Sequence, residues 1–197
     1  MMKQRLKQAL AQRQKTRIVD ASWVLSAVLL PVYDKQGEYH ILLTKRTETV
    51  ADHKGEISFP GGACEVQDAT RVDTALRECA EEIGLLTEKA EILGELDDTT
   101  TTSGYIISPF VAAIPWPYHL KVDRVEVREI IEVPISTLLC KDCLRQETEV
   151  VDGRTVTTNS YHYRGHIIWG ATARILTQFL DIWAQVVKES EIQPEWI

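Results

Sequence analysis

The sequence predicts an α/β fold, a mixed β-sheet held between helices in an α/β/α sandwich. Two observations carry that expectation. Apolar runs of strand length, bounded by Gly, Pro and Asp turns, recur at residues 23–33, 39–45 and 105–114. Stretches of helical period stand among and after them, around Val72 to Ile83 and over 172–188.

Each element has its own signal. Residues 3–15 read as a short amphipathic helix with Leu6 and Leu10 on one face. Residues 23–33 (WVLSAVLLPVY) read as a buried strand, with Pro31 marking an edge or a bend near its end. Asp34-Lys35-Gln36-Gly37 is a turn, and residues 39–45 return as the second strand of a hairpin. A polar connection, 46–58, leads to Phe59-Pro60-Gly61-Gly62, where the backbone can approach a neighbour closely. A helix follows, with Thr70 and Asp73 in its first turn and Gly84 as its stop. Residues 91–96 read as a short strand, 97–104 (DDTTTTSG) as a hydroxyl-rich loop, 105–114 and 126–133 as strands, and 135–139 as a short helix begun by Pro134. Residues 147–151 and 155–163 flank Asp152-Gly153 as a second hairpin. The terminal helix turns Ile175, Leu176, Phe179, Leu180, Trp183 and Val187 toward the core. Without an internal repeat or a linker, the chain divides into a peripheral helix within 1–20 and a single domain over 21–190.

Composition limits the function classes. The 197 residues are 44% hydrophobic and 26% charged, as in a globular protein with a sizeable core. A net charge of −7 and a pI near 5.3 argue against broad nucleic-acid binding, yet a metal can reverse the local sign for a small polyanion. No apolar run reaches the roughly 20 residues that span a bilayer. The basic start MMKQRLKQALAQRQK lacks the apolar centre of a secretory signal. Four cysteines, Cys64, Cys79, Cys140 and Cys143, form no disulfide framework, and Cys140-x-x-Cys143 has no second half for a zinc site. The expectation is a cytoplasmic protein with reduced thiols, no nucleic-acid or membrane partner, and room for a homodimer.

Chemistry concentrates between Gly61 and Leu85. At about 100° per residue, Val72, Leu76, Cys79 and Ile83 share an apolar stripe, while Glu78, Glu81 and Glu82 lie together away from it. Glu78 and Glu82 are i,i+4 neighbours and can reach one point. Three like charges in one turn repel, and a hard divalent cation with oxygen ligands offsets that cost. Alone, an acidic patch on a helix is usually a solvated face.

The surrounding residues change that reading. Gly62, Arg77, Glu78, Glu81, Glu82, Gly84 and Leu85, with Cys79 at an apolar position, resemble the Nudix box, G-x5-E-x7-R-E-U-x-E-E-x-G-U, of the Nudix hydrolases. Asp68 stands for the first Glu, with eight residues rather than seven before Arg77. Upstream, Leu42, Leu43, Thr44, Arg46, Gly55, Phe59, Pro60, Gly61 and Gly62 resemble a further signature, LLTxR[SA]xxxRxxxGxxxFPGG, of the coenzyme A pyrophosphatase branch. Thr47 and Ala51 depart from it, Ala51 replacing an Arg.

The resemblance implies a Nudix fold and a Mg²⁺- or Mn²⁺-dependent hydrolase. Its substrate would be a small nucleotide, coenzyme A or a thioester, cleaved at the diphosphate. Glu78 and Glu82 would be direct metal ligands, and Glu81 either a ligand to a second ion or the base acting on water. Arg77 would pair with a glutamate or stand as a solvated neighbour, pairing being favoured. Gly61 and Gly62 would offer backbone groups, and Lys45 and Arg46 would meet substrate phosphates, Lys54 joining them as a candidate for the 3′-phosphate. Ser103 and Thr102 would orient substrate or simply belong to a turn, and His53 would pack its loop or touch substrate. Two alternatives stand beside this: a hydrolase of another nucleoside diphosphate derivative, such as ADP-ribose or a dinucleotide, and a nucleotide-binding module without turnover.

Overall fold

A computed structural model describes residues 2–48, 54–151 and 154–192. His53, Ala51 and the Asp152-Gly153 turn lie outside these. The helices are α1 (Met2–Gln12), α2 (Arg71–Ile83), α3 (Ile135–Leu138) and α4 (Gly170–Ile192). The strands are β1 (Val24–Lys35), β2 (Glu38–Arg46), β3 (Ile57–Ser58), β4 (Gly61–Ala63), β5 (Glu91–Glu95), β6 (Thr99–Thr100), β7 (Tyr105–Ala113), β8 (Val127–Pro134), β9 (Leu144–Val151), β10 (Arg154–Tyr163) and β11 (His166–Ile168).

The main sheet is mixed, as expected. β1 runs parallel to β7 and antiparallel to β2 and β4. β8 pairs with the far edge of β2, and β5 and β6 with that of β7. Side chains alternate across β1, as a strand requires. Leu30 and Val32 join the core beneath α4 and α1, while Ala27, Leu29 and Tyr33 join the smaller core beneath α2. A second sheet, β11-β10-β9, closes over the larger core through Tyr161 and Ile168.

The hairpin of β1 and β2 is forked. The two strands pair only over Val32–Lys35 and Glu38–Ile41. Beyond that they part, and residues 57–63 fill the gap, β3 bonding to Thr44 and Lys45 of β2 and β4 to Ser26–Val28 of β1. Between them Pro60 O accepts a hydrogen bond from Leu29 N at 2.9 Å.

The fork explains Pro31, which sits in a central strand and not at an edge. The odd residues of β1 turn their backbone groups away from β7, as Leu25 O and Leu29 N do. Pro31 falls where the partner on that side changes from β4 to β2, so its missing N–H leaves no ladder bond open.

α1 is seated more firmly than a peripheral helix. Leu6 and Leu10 are 1% and 4% exposed and belong to the core shared with α4. The chain after α1 is tied down by buried charge. Asp98 accepts from Ser108 Oγ at 2.7 Å, from Ile18 N at 3.0 Å and from Arg71 Nη1 at 3.1 Å, with Lys15 Nζ at 3.5 Å. The carboxyl group is fully enclosed, so its partners replace water outright. Removing one side of a buried pair leaves an unpaired charge, at about 3–5 kcal/mol. Asp98→Ala should therefore lower unfolding free energy by about 3 kcal/mol in a urea titration. Arg17→Ala, whose contact to Glu95 is a surface pair at 3.6 Å, should change it by less than about 1 kcal/mol.

Candidate active site

α2 begins with a capping box. Thr70 Oγ1 accepts from Asp73 N, and the Asp73 carboxylate accepts from Thr70 N at 2.8 Å. It ends at Gly84, whose N–H bonds back to Ala80 O. Beyond Gly84 a strap over residues 118–123 covers the helix end. Lys121 N donates to Ile83 O and Asp123 N to Glu82 O, while Tyr118 Oη accepts from Leu86 N and donates to Gly84 O. These bonds occupy carbonyls that a helix terminus otherwise leaves open.

The predicted stripe holds for Leu76, Cys79 and Ile83, which are buried against the sheet, with Val72 packed beside them. Glu82 departs from it. Its side chain is 3% exposed, against 15% for Glu78 and 61% for Glu81. Glu82 enters the mouth of the fork. There Gly61 N donates to Glu82 Oε2 at 3.3 Å and Arg46 Nη1 to Oε1 at 3.5 Å. Burial is the main force pushing the Glu82 carboxyl up to about 8, opposed by Arg46 and the Gly61 amide and reinforced by Glu78 and Glu126. Glu78 is also raised, chiefly by burial, with Arg77 opposing and Glu81 and Glu126 adding to it.

Two glycines permit this approach. Gly61 has φ of +153°, and a Cβ there would stand 2.6 Å from Val28 Cα. A Cβ on Gly62 would stand 2.6 Å from Glu78 Cδ.

Arg77 is the hub. Its Nε and Nη2 bond both oxygens of Asp68 at 3.0 and 3.1 Å, Nη1 bonds Glu78 and Glu81 at 3.0 Å each, and Nη2 bonds Ala63 O at 3.2 Å. The expected pairing with a glutamate is present, and Asp68 is its firmest part. Asp68 also accepts from Glu65 N and Thr74 Oγ1, and Arg77 with these donors holds its carboxyl far below the usual range. The shorter acid and the extra residue before Arg77 are thus absorbed in a turn that still delivers a carboxylate to the guanidinium.

Other expected site residues fall elsewhere. Lys45 lies on the opposite face of β2 from Arg46 by strand alternation, across from Glu129, which His166 Nε2 approaches at 3.5 Å. Ser103 sits in the exposed turn before β7, its hydroxyl 2.9 Å from that of Thr101 and separated from the Gly61-Gly62 turn by β1. Lys54 is exposed on the chain entering β3. Cys143 is buried and Cys140 exposed in a turn. Sequence reasoning passed over Glu126. Its carbonyl accepts from Thr47 N at 2.9 Å, next to Arg46, and its charge bears on both Glu78 and Glu82. No motif or spacing in the sequence marks it.

The donor set is all oxygen and suits a hard divalent cation. Among the described residues no three such side chains gather tightly enough to hold one as they stand. Arg77 draws off Glu78 and Glu81, and Arg46 draws off Glu82. The raised values at Glu78 and Glu82 mark buried carboxylates short of positive charge, the condition that a cation relieves.

A mixed sheet with a glutamate-bearing helix set against a Gly-Gly turn defines the Nudix class. Comparison with known proteins agrees. The NUDIX domain family matches residues 23–142. A protein from Photorhabdus laumondii subsp. laumondii, named "Uncharacterized Nudix hydrolase NudL", is 35% identical over 153 residues, 78% of this chain and 81% of that one. A protein of the same name from Cronobacter sakazakii is 33% identical over 155 residues, 78% of this chain and 79% of its own. In fold, a MutT/nudix family protein from Enterococcus faecalis superposes with a TM-score of 0.54 at 17% identity, covering 94% of this chain and 69% of that one. The MutT protein from Methanosarcina mazei Go1 gives 0.51 at 17% identity, covering 91% and 99%. The chain belongs to the Nudix hydrolase family. It is a hydrolase of pyrophosphate bonds in nucleoside diphosphate derivatives, in a family that generally needs divalent cations. Among the described residues no helix is long and apolar enough to cross a membrane.

The Glu82 value carries a pH dependence. A carboxyl group whose folded pKa is raised binds a proton that the unfolded chain has released between about 4.5 and about 8. Its contribution to stability is present below 4.5 and is lost as pH rises through 8. The metal-free protein should lose up to about 1.4 kcal/mol per pH unit across this window from this group. Glu82→Gln should flatten the slope when unfolding free energy is measured from pH 5 to 9 in EDTA.

Proposed function

We propose that this hydrolase cleaves the diphosphate of coenzyme A or its thioesters, giving 3′,5′-ADP and the 4′-phosphopantetheine moiety. One observation carries the reading. The stretch resembling the coenzyme A pyrophosphatase signature forms the fork around Glu78 and Glu82, with Arg46 and Gly61 bonded to Glu82 and Gly62 against Glu78. Residues far apart in the sequence thus meet at one pair of glutamates.

Glu78 and Glu82 would hold Mg²⁺ or Mn²⁺ directly. When bound, a divalent cation neutralises phosphate oxygens and lowers the pKa of water. Arg77, locked by Asp68, holds Glu78 and Glu81 in place. Glu81, the exposed carboxylate of the patch, would leave its Arg77 contact to hold a second ion or to accept the proton of the attacking water. Water adds to one phosphorus and the P–O bond to the bridging oxygen breaks, its electrons leaving with the other phosphate. The Gly61-Gly62 backbone approaches the diphosphate, and Arg46 meets a phosphate oxygen. Lys45, on the far face, takes no part, and Ser103 keeps its turn.

The free cysteines accord with a cytoplasmic location. A homodimer is also proposed, and sedimentation velocity of the purified protein would test it.

Glu78→Gln removes a ligand charge without altering the core. It should lower turnover by about 100-fold or more while the melting temperature stays near that of the parent. Near-full activity of this variant at limiting Mg²⁺ would refute the ligand assignment.

The substrate test uses coenzyme A, dephospho-coenzyme A and ADP-ribose, with products identified by mass. Coenzyme A should be cleaved fastest. Dephospho-coenzyme A should be poorer by about tenfold in kcat/KM, equal to about 1.4 kcal/mol, and Lys54→Ala should narrow that gap. Faster cleavage of ADP-ribose would favour the broader nucleoside diphosphate reading.

A further inference from the structure

We propose that Arg46 is a displaceable counter-ion. It neutralises Glu82 while the site is empty, is expelled when a divalent cation takes Glu82, and then clamps a phosphate oxygen of the diphosphate. The inference rests on Glu82 being a metal ligand.

The two arginines of the site are held very differently. Arg77 has Nε, Nη1 and Nη2 all bonded, with a bidentate grip on Asp68. Arg46 makes one side-chain hydrogen bond among the described residues, a single 3.5 Å contact from Nη1 to Glu82 Oε1. Its Nε is buried without any acceptor. A guanidinium presents a planar fork suited to two oxygens of one anion, and this one has found a single oxygen at long range. Leaving a buried donor unmet is unfavourable, so the empty-site arrangement has an alternative that improves on it.

Position supplies that alternative. Arg46 ends β2 at a bulge opposite Val127, on the α2 face of the sheet and at the mouth of the fork. Glu82 has Oε2 on Gly61 N, which leaves Oε1, the oxygen Arg46 holds, as the one facing a newcomer. A divalent cation there would lie within a few ångströms of the guanidinium, where like charges in a half-buried cleft repel strongly. Arg46 must then move. A phosphate oxygen on the incoming cation offers what the Nε lacks. The cation and the substrate would therefore bind in a coupled order, metal first.

The test follows the Arg46 Nε–Hε signal in ¹⁵N-labelled full-length protein, assigned with Arg46→Lys, and measures Mg²⁺ binding by calorimetry on the same samples. Methylenediphosphonate serves as a diphosphate that cannot be cleaved, so the result does not depend on coenzyme A being the substrate. Saturating Mg²⁺ should speed Nε–Hε exchange with water at least tenfold, and the diphosphonate should slow it again and shift the signal. The Arg77 signal should stay fixed throughout. In Arg46→Met, Mg²⁺ should bind at least fivefold more tightly, and the diphosphonate at least tenfold more weakly in the presence of Mg²⁺ but unchanged without it. Mg²⁺ binding that leaves the Arg46 signal unmoved would overturn the inference while leaving the hydrolase reading intact. Absence of Mg²⁺ binding would overturn the ligand assignment and the inference together.

Discussion

The fork between β1 and β2 is the constraint on which the site depends. Two strands that part after a short ladder would expose backbone groups that must be paired. Residues 57–63 pair them, β3 on one arm and β4 on the other. That insertion presses Gly61 against Val28, where only glycine avoids a clash, and leaves its N–H facing Glu82. The Phe59 ring, 2% exposed, anchors the segment in the larger core. Local backbone need and site geometry thus share one cause. The Gly-Gly pair serves the strand pairing and the approach of two carboxylates at once.

Given that frame, the electrostatics divide between two arginines. Arg77 offsets the exposed side of the glutamate patch and is bound rigidly by Asp68. Arg46 offsets the buried side through one long contact. A buried carboxylate with weak compensation shifts toward its neutral form, and Glu82 does so. The protein therefore stores unmet affinity for positive charge at one defined oxygen pair. Structures that served stability alone would fill this position with an apolar side chain.

The sequence made the long elements legible and the short ones not. α2, α4, β1 and β7 have enough residues for their period to show. β3, β4, β6 and β11 have two or three residues each, too few for any period, and exist because neighbouring strands offer open edges. Pro31 pointed to an edge or a bend because the sequence cannot show a change of partner along one strand. The glutamates are legible by motif and spacing, but the burial of Glu82 is not, because a helical projection shows directions and not what packs against each flank. The face of Lys45 is readable, and the expectation that it joins Arg46 at a phosphate overlooks it. A period of two already sets it on the face opposite Arg46. The grip of Asp68 on Arg77 depends on a turn whose shape, with one residue more than the usual box, spacing alone does not reveal.

The glutamate-bearing helix α2 is secured at both ends. At its start, Arg71 joins the buried Asp98, which also gathers Lys15, the Ile18 amide and Ser108. At its end, the strap through Tyr118, Lys121 and Asp123 takes up the last carbonyls. Glu78 and Glu81 share one guanidinium nitrogen, and Glu82 has a single loose arginine. Each can be regrouped by a change of rotamer without moving the helix. A helix fixed at both ends thus presents its carboxylates to two protein cations that share them unevenly. The enclosed charges at Asp98, which have no such freedom, lie at the end of α2 away from the Gly61-Gly62 turn.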